Sequence, residues 1–164
     1  MIQDLNMDRR ASIAKLSSGT LFGIFATVIT PQPSFAKSKE PVTPESMAKA
    51  FADVRFELED PSGGIPALQK AIETKDWEDV KGFTKFYDLE FRKAKMVKAR
   101  KMFPDSEMRG ETLQLCNNVT FDLIGINRAS RVEDQNEALK YLDELKEDVK
   151  AFLEYEKKVV IPSP

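Results

Sequence analysis

Apolar positions recur at helical spacing through most of the chain. The longest such run, residues 77–103 (WEDVKGFTKFYDLEFRKAKMVKARKMF), sets the frame for the others. At 100° per residue, Val80, Phe83, Thr84, Tyr87, Phe91 and Ala94 fall in one narrow sector, the stripe that an amphipathic helix turns toward a core. A second seam lies on the opposite side, where Leu89, Met96 and Phe103 repeat every seven residues among Lys85, Arg92, Lys93 and Arg100. The seam either packs on another helix or is scattered surface apolar area of the ordinary kind, or else it is a docking surface.

The flanking segments carry their own start and stop signals. Thr43 is placed to cap a helix whose first residue is Pro44, where a missing N–H costs no hydrogen bond, and Met47, Phe51, Val54 and Leu58 follow at helical spacing. Asp60-Pro61-Ser62-Gly63-Gly64 stops it; a phosphate-loop reading fails because no Lys-Ser/Thr follows and no strand precedes. A short helix over 65–74 runs through Leu68 and Ile72, after which Asp76 caps the long helix and Asp79 is placed to return the bond. Pro104 ends that helix, since the residue before a proline is pushed out of the helical region.

The next periodic segment, 106–127, puts Met108, Thr112, Leu115, Cys116, Val119, Leu123 and Ile126 on one side and leaves Phe121 and Ile124 off the stripe. A polar connection at 128–131 leads to a last helix over 133–158, with Ala138, Leu142, Leu145, Val149, Phe152 and Leu153 facing inward. Three long helices joined by short links must alternate in direction, and residues 44–74 supply the remaining side. The expected fold is all-α, an up-and-down four-helix bundle over 44–158 with a broken first helix.

The N-terminal part has a different pattern. Arg9-Arg10, the mostly apolar run LFGIFATVI at 21–29 and the small-x-small sequence Ser34-Phe35-Ala36 are the three parts of a cleavable export signal of twin-arginine type. Residues 1–36 are therefore expected to be a targeting signal. The polar stretch 37–43 is expected to be a flexible lead-in to the bundle, and 159–164 is an apolar, proline-ended tail.

Composition narrows the chemistry. The chain has no histidine, which removes the commonest general base, the usual zinc and haem ligand, any Ser-His or Cys-His nucleophile pair and the Glu-x-x-His ligands of bundle di-iron sites. Cys116 is the single cysteine and lies on an apolar stripe, as an inert buried thiol would. Asp143, Glu144, Glu147 and Asp148 follow no calcium-loop spacing and read as a solvated face. No enzymatic activity, cofactor or metal is expected.

Charge is divided unevenly. Residues 77–103 hold eight basic and four acidic side chains, with six cations among the ten residues 92–101, whereas 133–158 hold five basic and nine acidic. The two segments could neutralise each other, but most of these cations point away from the core stripe, which favours docking of the basic face on an acidic protein surface. Nucleic acid is disfavoured, because the chain carries a net charge of −2 and the basic stretch matches no recognition motif.

The segments FTKFYDLEFRKAKM (83–96), VTFDLIGINRASR (119–131) and YLDELKEDVKAFL (141–153), in that order after the DPSGG turn at 60–64, resemble the PsbQ-like extrinsic proteins of photosystem II. The closest likeness is to the additional lumenal subunit of the oxygen-evolving complex in diatoms and related algae, and it covers roughly 48–153. The resemblance implies a four-helix bundle in the chloroplast thylakoid lumen, peripheral on the lumenal side of the membrane. Its partners would be photosystem II core lumenal loops and other extrinsic subunits. Its role would be to stabilise the oxygen-evolving complex and support calcium and chloride retention, binding no metal itself. The residues expected to meet the partner are Lys85, Leu89, Arg92, Lys93, Met96, Lys98, Arg100 and Lys101. A lumenal assembly factor with the same fold, and a carrier using the bundle interior as a small-molecule pocket, are the alternatives.

Overall fold

The computed structural model describes residues 42–159. The expected targeting signal, most of the 37–43 segment and the tail beyond Val159 lie outside the described residues. Within them the chain forms α1 (Pro44–Glu59), α2 (Gly64–Glu73), α3 (Trp77–Tyr87), a π-helical segment (Asp88–Met96), α4 (Val97–Arg100), α5 (Ser106–Arg131) and α6 (Gln135–Glu154), closed by a 3-10 turn over Tyr155–Lys158.

The helix starts follow the sequence signals closely. Thr43 Oγ1 accepts from the Ser46 N–H at 3.1 Å while Ser46 Oγ accepts from the Thr43 N–H at 3.0 Å, so two orphan donors are satisfied reciprocally. Asp60 takes up the Ser62 N–H at 2.8 Å and closes the DPSGG turn. Gly64 opens α2 directly against the Tyr87 ring, where a Cβ would overlap the aromatic carbons; only glycine fits this approach. Asp76 caps α3 through the Asp79 N–H, but the predicted return bond is absent, because the Asp76 N–H is already donated to the Ala71 carbonyl at 2.9 Å.

Boundaries differ from the sequence reading at two reversals. The helical column that begins at Trp77 ends at Arg100, ahead of the expected stop beside Pro104, and unwinds through tighter bonds such as Met102 N–H to Ala99 carbonyl. The expected loop at 128–131 is instead the last turn of α5. Ala129 and Ser130 are buried there, and Ser130 Oγ satisfies itself on the Asn127 carbonyl at 2.7 Å. The chain reverses over Val132, Glu133 and Asp134, with Glu133 in the left-handed region at φ 57° and Asp134 capping α6.

These elements make four columns: α1 with α2, α3 with the π segment and α4, then α5, then α6. Neighbouring columns pack as α1 and α2 on the α3–α4 column, that column on α5, α5 on α6, and α6 back on α1 and α2. Phe51 stacks on Phe152 at 5.5 Å and meets Phe103 edge-on at 5.7 Å, which sets the middle of α1, in the first half of its column, beside the end of the second column and the end of α6. At the opposite end Gln135 donates to the Ile72 carbonyl at 3.0 Å, so successive columns are antiparallel. The fold is the expected up-and-down four-helix bundle. Its axis is filled by Phe51, Phe91, Met96, Phe103, Leu142 and Phe152, all fully buried, and burying each such side chain is worth about 1.5–3 kcal/mol.

The second column departs from α-helical register at its centre. Val80, Thr84, Tyr87 and Phe91 face the core as predicted, and Phe83 is half-buried on the Tyr87 ring. Ala94 is exposed, and the next core position is Met96, followed by Ala99 and Phe103. The Val97 N–H reaches back five residues to the Arg92 carbonyl, the bond that defines a π turn. That wider turn brings the second seam inward. Met96 and Phe103 are core residues, and of the three seam positions only Leu89 remains at the surface, 51% exposed.

Candidate docking face

The π segment decides which of the predicted partner-binding residues share a surface. Lys85, Leu89, Lys93, Lys98 and Lys101 are all exposed and follow one another at intervals of four, four, five and three, about one per turn. Among the described residues none of these four lysines forms an ion pair. Phe86, 65% exposed, adds apolar area one turn from Leu89.

Three predicted members do not belong to this surface. Met96 is fully buried, for the reason of register given above. Arg92 folds back on Asp88, donating from Nε at 2.6 Å and from a terminal nitrogen at 2.8 Å, and Thr120 of α5 donates to the same carboxylate at 2.7 Å. The Arg92 bond holds the Asp88 carboxyl below the usual carboxylate range and raises the guanidinium in turn. Arg100 is half-buried and donates to the Arg109 carbonyl at 2.9 Å, while Arg109 reaches back to the carbonyls of Phe103 and Pro104. These two arginines tie the end of the second column to the start of α5 and are spent on structure.

Lys95, the remaining cation of the segment, is also internal. It pairs with Glu57 of α1, which is 8% exposed and also accepts from the Tyr87 hydroxyl at 2.8 Å and the Gly64 N–H at 2.8 Å. Burial alone would raise the Glu57 pKa, but the bonds from Lys95, Tyr87 and Gly64 outweigh it and hold the carboxyl below its ordinary value. The same burial and the Glu57 charge push the Tyr87 hydroxyl far up, so it stays a donor.

The acidic side of the molecule lies diagonally opposite. α6 packs on α5, α1 and α2, and among the described residues no ion pair joins it to the basic column; mutual neutralisation of the two segments is therefore not what their charges do. The acidic residues of α6 are not uniformly solvated either: Asp143 and Glu147 are exposed, but Glu144 and Asp148 are half-buried and turn toward α5. Among the described residues no three carboxylates or thiols converge as a metal site, and no helix is long and apolar enough to cross a membrane. Cys116 is fully buried, and burial pushes its thiol up to about 11, which makes it a poor nucleophile at neutral pH.

Comparison of the chain with protein-family models, with curated proteins and with solved structures finds no match.

Proposed function

We propose that the protein is an extrinsic structural subunit of photosystem II, held on the lumenal side of the thylakoid membrane by Lys85, Lys93, Lys98 and Lys101 around Leu89. The observation that carries the reading is this row of exposed lysines that form no ion pair among the described residues, on a column whose other cations are committed internally. The likeness of 83–96, 119–131 and 141–153 to PsbQ-like proteins supplies the partner class: acidic lumenal loops of the core or a neighbouring extrinsic subunit. Docked there, the bundle shields the water-oxidising site from bulk solvent and supports calcium and chloride retention. The lysines steer and orient the encounter, and the apolar area of Leu89 and Phe86 adds short-range contact.

The test is rebinding to salt-washed thylakoid membranes. Reversing Lys93, Lys98 and Lys101 to Glu should abolish rebinding while the helical circular-dichroism signal stays intact. Wild-type binding should weaken as salt rises, since screening shortens the range of exposed charges to about 8 Å at physiological ionic strength. Undiminished rebinding of the triple variant rejects this face.

A further inference from the structure

The α5–α6 interface, the most extensive helix pair in the bundle, contains a carboxyl group that forms no ion pair among the described residues. Asp122 of α5 is 6% exposed, and its Oδ2 has no hydrogen-bond partner. The cleft it lines, about 330 Å³ in volume, is completed by Asn118 and Phe121 of α5 and by Glu144, Glu147 and Asp148 of α6. Every charged group lining it is acidic.

The cations paired on the flanking helices bond to groups other than Asp122 and Asp148. Lys140 stands 3.7 Å from Glu144 at an exposed position, and Lys146 donates to Gln69 of α2. On the other flank of α5, Asp88 and Arg92 pair with each other, and Lys81 pairs with Glu78. Asp148 receives one hydrogen bond from the Asn118 amide at 3.1 Å, and its carboxylate is within hydrogen-bonding reach of Asp122. Two ionised carboxylates in this position would repel each other and leave a buried oxygen unsatisfied. A single proton corrects both faults, because a neutral carboxyl has an O–H to donate.

We propose that Asp122 and Asp148 form a proton-binding site that holds one proton between α5 and α6. Protonated Asp122 donates to the Asp148 carboxylate, which is oriented by Asn118, and the shared proton clasps the two helices. Loss of the proton leaves two facing anions beside Glu144 and loosens this interface. Burial first, and then the charges of Asp148 and Glu144, raise the Asp122 carboxyl to about 7, so the clasp closes and opens within a physiological range. The inference is independent of the docking face, which lies on another column.

The full chain and its Asp122→Asn variant are compared by denaturant unfolding across pH 4 to 9, in EDTA and in millimolar calcium, with the Asp122 carboxyl followed in the wild type by carbon-13 NMR. The wild-type carboxyl should titrate near 7 in place of the ordinary value near 4. Relative to the variant, the wild-type folding equilibrium should fall about tenfold per pH unit between those two values and level off above them. The variant, whose amide donates permanently, should be the more stable protein at pH 8. Parallel pH profiles, or titration of Asp122 near 4, overturn the proposal. So does a calcium-induced stabilisation at pH 8 that the variant lacks, which would make the pair a cation site.

Discussion

Phe91 and Met96 are successive core positions on one helical column, five residues apart, where an unbroken α-helix returns to the same face after three or four. The single π segment between them rotates everything that follows. It carries Met96, Ala99 and Phe103 to the bundle axis and exposes Ala94. It also determines which cations reach solvent, and so it links the register of one helix to the chemistry of the proposed surface.

That register predicts opposite outcomes for two neighbouring residues. Met96→Ala should destabilise the bundle by about 2–5 kcal/mol, the usual cost of a buried large-to-small change. Ala94→Lys should stay within about 0.5 kcal/mol of wild type, as exposed substitutions do. Urea titration of both variants checks this; a costly Ala94→Lys beside a neutral Met96→Ala would restore the α-helical register.

Glu57 gives the bundle an acid-sensitive joint, because it holds α1, the start of α2, Tyr87 and Lys95 together. Its folded pKa lies below its unfolded one, so its contribution is present above the unfolded value and is lost as pH falls through the folded one. Tyr87→Phe removes one donor to this carboxylate and should cost about 1.5–3 kcal/mol at pH 7, with a smaller loss at an acid pH where the Glu57 carboxylate is protonated. Unfolding free energies measured at both pH values test the pair. The sign is opposite to that of Asp122, whose contribution is lost as pH rises.

Two helical glycines should respond in opposite directions to alanine. A Cβ at Gly82 meets nothing within 4 Å, so Gly82→Ala should stabilise by about 0.5–1 kcal/mol through backbone entropy alone. A Cβ at Gly125 would lie 2.6 Å from the Tyr141 ring, across the α5–α6 interface, and Gly125→Ala should destabilise by about 1–3 kcal/mol. Thermal melts of the two variants should therefore move apart, and a shared direction would contradict the packing at Tyr141.

The amino-acid sequence by itself determined what rests on local chemistry. Thr43 before Pro44, Asp60 in the DPSGG turn and Asp76 before Trp77 each fix a boundary through bonds to residues close by in the chain. The apolar period assigns the inner face of α6 through Ala138, Leu142, Leu145, Val149, Phe152 and Leu153, and that of α5 through Thr112, Cys116, Val119, Leu123 and Ile126, but not the buried Asp122, Gly125, Ala129 and Ser130. The four-helix arrangement follows from those faces and the short links. The exposure of Lys85, Lys93, Lys98 and Lys101, on which the proposed docking face rests, was visible in the same way, as cations away from the stripe.

Tertiary structure decided the rest, where the sequence supports two answers of similar merit. After Phe91, either Ala94 or Met96 can continue the stripe; the larger side chain joins the core, and the π segment is the cost of bringing it there. Whether Arg92 and Arg100 are free or committed depends on Asp88, Thr120 and Arg109. The proton site had one local signal, a lone aspartate inside the apolar VTFDLIGI of 119–126, but its meaning came from Asp148 on another helix. A spacing rule records which face a residue occupies; only packing determines what stands across from it.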